Sequence, residues 1–112
     1  MSATPFPGPA ADATLVGHDE FAKMVASGSG AIVDVREPDE YAAGHIPGAV
    51  NLPLSRFEAA RLPAGQPVVL VCQSGKRSAN ALAQARAAGR ADVRHYAPGT
   101  KGWRDGGGAL AR

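Results

Sequence analysis

Apolar and polar positions alternate in blocks along the chain, and the blocks change period. In "HDEFAKMVASG", Phe21, Met24 and Val25 recur at helical spacing, His18 and Asp19 stand as candidate caps, and Gly28 closes the run. "AIVDV" (31–35) is short, β-branched and almost wholly apolar, which suits a strand buried on both faces of a parallel sheet. "EPDEYAAG" reads as a short helix, with Pro38 at its first position, Asp39 and Glu40 at its positive end and Gly44 at its close. "AVNLPL" reads as a short strand running into a loop, and "SRFEAARL" as one or two helical turns capped by Ser55. "PVVLVC" (67–72) is the strongest strand pattern and "RSANALAQARAAG" the strongest helix, with Ala79, Leu82, Ala83 and Ala87 expected on the buried face and Gly89 at its end. "DVRHY" makes a last strand. "GTKGWRDGGG" reads as loop with at most one turn, anchored by Trp103. Strands alternating with helices predict an α/β domain, a parallel sheet covered on both faces.

At 112 residues the chain suffices for one compact domain. Three prolines between Pro5 and Pro9 oppose regular structure, so residues 1–13 are expected to form a flexible tail and 14–112 the single domain. Aromatic residues are only 5 % of the chain, which leaves Val, Leu, Ile and Ala to build the core. A formal charge of +2 is too small for a nucleic-acid footprint. No apolar run approaches the roughly 20 residues of a membrane span. The first residues lack the basic and apolar regions of a secretory signal, so a cytoplasmic location is expected. His18, His45 and His95 stand apart at no ligand-like spacing, and no metal or cofactor is expected.

Cys72 is the only cysteine, so no internal disulfide can form. It falls at the carboxyl end of the best strand, where open α/β sheets hold their ligands. The loop "QSGKR" then turns directly into a helix, whose start offers unpaired N–H groups and a positive dipole end. Both favour a thiolate, and Lys76 and Arg77 add positive charge. Gly75 lets the backbone curl. The expected product is an anion-binding cradle with a nucleophile at its base. Four residues, Gln73 to Lys76, separate Cys72 from Arg77. Cysteine phosphatases place one more residue in that interval, which gives a ring wide enough for phosphate. The tighter loop suits a smaller electrophile, such as a sulfane sulfur.

"CQSGKRS" resembles the active loop of the rhodanese family of sulfurtransferases. "VDVREPDEYAAGHIPGAVNLPL" resembles that family's first signature, with D-x-R, GHI-x-GA and N-x-P in order, and "GTKGW" (Gly99–Trp103) its C-terminal signature. The resemblance covers about residues 14–107. It implies a rhodanese-like fold, a central parallel five-stranded sheet flanked by helices on both faces. It implies that Cys72 takes a sulfane sulfur from thiosulfate or a related persulfide and passes it, through a Cys72 persulfide, to cyanide, glutathione or a protein thiol, with no cofactor. Gln73, Ser74, Gly75, Lys76 and Arg77 would form the substrate-binding wall. Asp34 and Arg36 would hold loops together near the site, and His45 would be a hydrogen-bonded structural histidine. Some rhodanese-like domains serve instead as relays or interaction modules for a protein partner. Those that only bind partners often lack the cysteine, which is present here.

Overall fold

The computed structural model describes residues 14–112, so the expected tail lies outside the described residues. Strands β1 (Ala31–Asp34), β2 (Val50–Asn51), β3 (Val68–Val71) and β4 (Val93–His95) form one parallel sheet in the order β2-β1-β3-β4. Helices α1 (His18–Ser27), α2 (Pro38–Ala43), α3 (Lys76–Ala87) and α4 (Gly99–Asp105) alternate with the strands except between β2 and β3, which two 3-10 turns (Leu54–Arg56 and Ala59–Arg61) connect.

Among the described residues the sheet has four strands and not five. The segment before α1 meets the free edge of β4 through a single bridge, Leu15 with His95. The His95 N–H donates to the Thr14 carbonyl (2.8 Å) and the Val16 N–H to the His95 carbonyl (3.0 Å). Gly17 then caps α1, so the pairing stops before a strand is established.

β3 shows why an unbroken apolar run reads as a central strand. All four residues are fully buried, and their side chains alternate between two cores. Val69 and Val71 join Phe21, Met24, Ile32, Tyr96 and Trp103 on one face. Val68, Leu70 and Cys72 join Val33, Val35, Ala81, Leu82, Ala85 and Val93 on the other. The few aromatics concentrate in the first core, where Phe21 stacks on Tyr96 (centroids 4.0 Å apart) and meets Trp103 edge-on (5.6 Å).

Several local expectations are corrected. Gly17, not His18 or Asp19, precedes the first turn of α1, and His18 lies inside it. Ser55 sits within a short 3-10 turn (Leu54–Arg56) and donates to Glu37 Oε1 (2.8 Å) instead of capping a helix. The 99–105 stretch is a helix held down by Trp103, whose ring N–H donates to the Ala109 carbonyl (2.8 Å). The buried face of α3 is Ser78, Ala81, Leu82 and Ala85, while Ala79, Ala83 and Ala87 are exposed. Alanine recurs on nearly every side of this helix, so the apolar pattern has little contrast. Its rotation follows instead from the loop that starts it. Among the described residues no helix is long and apolar enough to cross a membrane.

Candidate active site

Cys72 continues the alternation of β3, which turns its side chain toward α3. Gln73 and Ser74 follow, and Gly75 precedes the first turn of α3 at φ 97°, ψ −17°. A Cβ at Gly75 would lie 2.7 Å from the Ala97 carbonyl oxygen, so this left-handed position is closed to other residues on two counts. The curl brings the Gly75 N–H onto Cys72 Sγ at 3.1 Å. Ser78, one turn into α3, places its hydroxyl 3.6 Å from the same sulfur.

The loop carbonyls are taken up by α4. The Thr100 N–H donates to the Cys72 carbonyl (2.8 Å) and the Lys101 N–H to the Gln73 carbonyl (3.1 Å). With its oxygens held on that side, the loop turns its N–H groups inward. Burial pushes the thiol up, since Cys72 is 1 % exposed. The Ser78 hydroxyl and the N–H groups of Ser78, Ser74 and Gly75 outweigh burial and hold the thiol below its ordinary value.

The two loop cations part company. Lys76 is exposed at the start of α3. Arg77 is clasped by Glu40 of α2 through two hydrogen bonds, 2.6 and 3.0 Å. Glu40 also accepts the Glu37 N–H (3.0 Å). The Arg77 guanidinium, against some burial, holds the Glu40 carboxyl down from 4.5 to about 2. A depressed carboxylate stabilises the fold above its unfolded value and loses that contribution as pH falls. Wild-type protein should therefore lose stability between about 4.5 and 2 through this group. Glu40→Gln should be less stable at neutral pH and show a shallower decline across that window in urea unfolding. Equal slopes would mean the clasp does not hold in solution.

Asp34 and Arg36 form a buried ion pair (2.8 Å), with side chains 0 % and 8 % exposed. Arg36 also donates to the Gly44 carbonyl (2.7 Å), and Asn51 donates to the carbonyls of both Asp34 and Arg36 (2.9 Å each). This network ties the ends of β1, β2 and α2 together beside the Cys72 loop. His45 is half-buried, stacked on Tyr41 with centroids 3.8 Å apart, its Nδ1 2.9 Å from the Tyr41 carbonyl.

A pocket of about 150 Å³ opens beside the loop, lined by Arg36, Glu40, Gln73, Thr100, Lys101 and Arg104 among others. Gln73 follows Cys72 in the chain and the Thr100 N–H is bonded to the Cys72 carbonyl, so the pocket adjoins the backbone of the loop. Lys101 and Arg104 do not stand out in the sequence because their segment reads as a loop. Once it is a helix, their spacing of three puts them on one face. Lys101 also pairs with Asp105 (2.8 Å). Ser78 and His95 are equally hidden as site residues. The parallel register sets His95 beside Leu70, two residues before Cys72, and Ser78 Oγ lies 2.9 Å from His95 Nδ1.

The Rhodanese-like domain matches residues 17–105, and the chain belongs to the rhodanese family. Human thiosulfate:glutathione sulfurtransferase is 36 % identical over 109 residues, covering 83 % of this chain and 95 % of that one. An uncharacterized Synechocystis protein, slr1261, is 46 % identical over 78 residues, which span 68 % of this chain and only 44 % of that protein. The solved structure of the human single-domain sulfurtransferase TSTD1 superposes with a TM-score of 0.72 at 33 % identity, over 83 % of this chain and 96 % of that one.

Proposed function

We propose that this protein is a sulfurtransferase that moves a sulfane sulfur from thiosulfate or a related persulfide to a thiol or cyanide through a Cys72 persulfide. The observation that carries the reading is the inward Gly75 N–H, 3.1 Å from a sulfur already held toward its anionic form. In the first step the Cys72 thiolate attacks the outer sulfur of thiosulfate, the S–S bond breaks, and sulfite leaves with the electron pair. In the second, an acceptor thiolate attacks the outer sulfur of the persulfide and Cys72 returns as the thiolate. The N–H groups of Ser74, Gly75 and Ser78 stabilise the anion in both states. Gln73, Ser74 and Gly75 form the loop wall, Lys76 adds positive charge at its end, and Arg77, its charge taken up by Glu40, ties the loop to α2. Asp34, Arg36 and His45 brace the surroundings. Likeness to the human thiosulfate:glutathione enzyme supports a small thiol as acceptor.

Intact mass spectrometry tests the reading. Protein treated with thiosulfate and desalted should be heavier by one sulfur atom, located on the Cys72 peptide and removed by cyanide or reductant. Folded protein that gains no sulfur at any donor concentration would sink the proposal.

Arg104 faces the pocket beside the loop and should draw anionic donors toward it. Arg104→Ala should raise KM for thiosulfate about two- to fivefold with little change in kcat, as suits an exposed charge, and the difference should shrink in added salt. An unchanged KM at low salt would show that the pocket plays no part in capture.

A second reading, transfer to a protein thiol, is favoured by a 40 % identical match to the Mycobacterium tuberculosis protein MoeZ, named a probable adenylyltransferase/sulfurtransferase. That match spans 77 residues and 20 % of MoeZ. Competition between glutathione and a carrier-protein thiol for the Cys72 persulfide separates the two acceptors.

A further inference from the structure

Three buried side chains from three elements meet behind the reactive loop. Cys72 follows directly on β3, Ser78 lies in α3 and His95 closes β4, and they are 1 %, 0 % and 7 % exposed. The hydroxyl of Ser78 is the hub. It lies 3.6 Å from Cys72 Sγ, 2.9 Å from His95 Nδ1 and 3.2 Å from the Gly75 carbonyl. A serine hydroxyl has one proton to give, so these three neighbours compete for it.

The direction of the Ser78–His95 bond decides the competition. If Nδ1 accepts, the serine proton points at the imidazole and only the serine oxygen is left facing the sulfur. That arrangement suits a neutral S–H, which would donate to the oxygen. If Nδ1 carries a proton and donates, the serine proton is free for the sulfur or for the Gly75 carbonyl. An anionic sulfur is the stronger acceptor of the two.

The strand position that carries the imidazole is well fixed. The His95 backbone is bonded on its outer edge to Thr14 and Val16 and paired on its inner edge with β3. Its neighbour Arg94 points to the opposite face, where it pairs with Glu20 (2.8 Å). The sulfur faces the N–H groups of Ser74, Gly75 and Ser78 and the Ser78 hydroxyl, with Arg77 and its partner Glu40 further out.

We infer that His95 is a positioning residue for the nucleophile: its Nδ1–H donates to Ser78 Oγ and so commits the serine proton to the Cys72 thiolate. The inference rests on the reading of Cys72 as the nucleophile, and it adds a residue from the far strand to the site.

Iodoacetamide alkylation reads the state of Cys72 without any sulfur donor, and the single cysteine makes the signal unambiguous. His95→Leu should move the midpoint of the alkylation–pH profile up by about half a pH unit, because Ser78 keeps its proton for the sulfur but loses the donor that polarises it. Ser78→Ala should move it further, by about one unit, the scale of one hydrogen bond to a charged group. Adding His95→Leu to Ser78→Ala should then change little, because His95 acts through Ser78. An unshifted midpoint in folded His95→Leu protein, or shifts that simply add in the double variant, would overturn the inference.

These residues are buried, so a measurement on the unaltered protein stands beside the variants. Nitrogen chemical shifts of 15N-histidine-labelled protein should show Nδ1 of His95 protonated while Cys72 is a thiolate. An unprotonated Nδ1 in that state reverses the bond and removes the inference. Protein that passes both tests but takes up no sulfur from thiosulfate would leave this arrangement standing and defeat the sulfurtransferase reading instead.

Discussion

Cys72→Ser should fold as the parent does and transfer no sulfur. The hydroxyl is a far weaker nucleophile than a thiolate at neutral pH, and no other cysteine exists to replace it. The loss of turnover should exceed about a thousandfold, as for removal of a nucleophile elsewhere. Folding should suffer little, because the new oxygen meets the same N–H donors that surround the sulfur. Cys72→Ala is the worse variant for this purpose. It leaves the Gly75 N–H without its acceptor, and a buried orphan donor costs about 1–3 kcal/mol. Sulfite release and the sulfur mass increment should both vanish in the serine variant while its urea midpoint stays close to the parent's. Residual turnover in cleanly purified protein would mean that the nucleophile lies elsewhere.

Gly99→Ala should be the most damaging single methyl that can be added near the site. Gly99 sits at φ 69°, and a Cβ there would lie 2.3 Å from the Gln73 carbonyl oxygen and 2.5 Å from that of Cys72. Those are backbone atoms of the reactive loop, so no side chain can swing aside to make room. The hydrogen bonds that Thr100 and Lys101 donate to those same carbonyls should break first. A stability loss of about 3 kcal/mol or more is expected, from left-handed strain together with the clash. Sulfur uptake should fall even in the fraction that stays folded, since the carbonyls would no longer be held away from the sulfur. Gly48→Ala is the control. Gly48 has φ 85° with nothing within 4 Å of an added Cβ, so it meets backbone strain alone, about 1–2 kcal/mol. If the two variants unfold at the same urea concentration, the clamp of α4 on the loop is not what holds it.

The sequence and the structure agree where one residue's neighbours in the chain are also its neighbours in space. β3, Cys72 and the Gly75 turn form one continuous stretch, and each follows from local pattern and conformational preference. The rhodanese signatures name the fold for the same reason. What stays hidden depends on contacts across the sheet. Nothing in "DVRHY" says that His95 will stand behind Ser78, because only the parallel register of β3 and β4 brings them together. Nor does "GKRS" say that Arg77 will be taken by Glu40, thirty-seven positions away. The buried face of α3 differs from its sequence pattern because alanine carries too little contrast to orient a helix. The family pattern predicts a fifth strand, and Gly17 ends that segment after one bridge.

The main-chain donors around Cys72 have a consequence for how this site can change. An amide N–H does not titrate in the pH range of a folded protein and belongs to every residue except proline. Gln73 and Ser74 keep their side chains in solvent while their backbone shapes the loop. Exchanging those side chains should therefore retune which sulfur compounds are accepted and leave the sulfur's acidity nearly untouched. Reactivity and choice of substrate are separately adjustable here, so a library confined to positions 73 and 74, with proline excluded, should yield variants of altered preference that still alkylate at the parental rate.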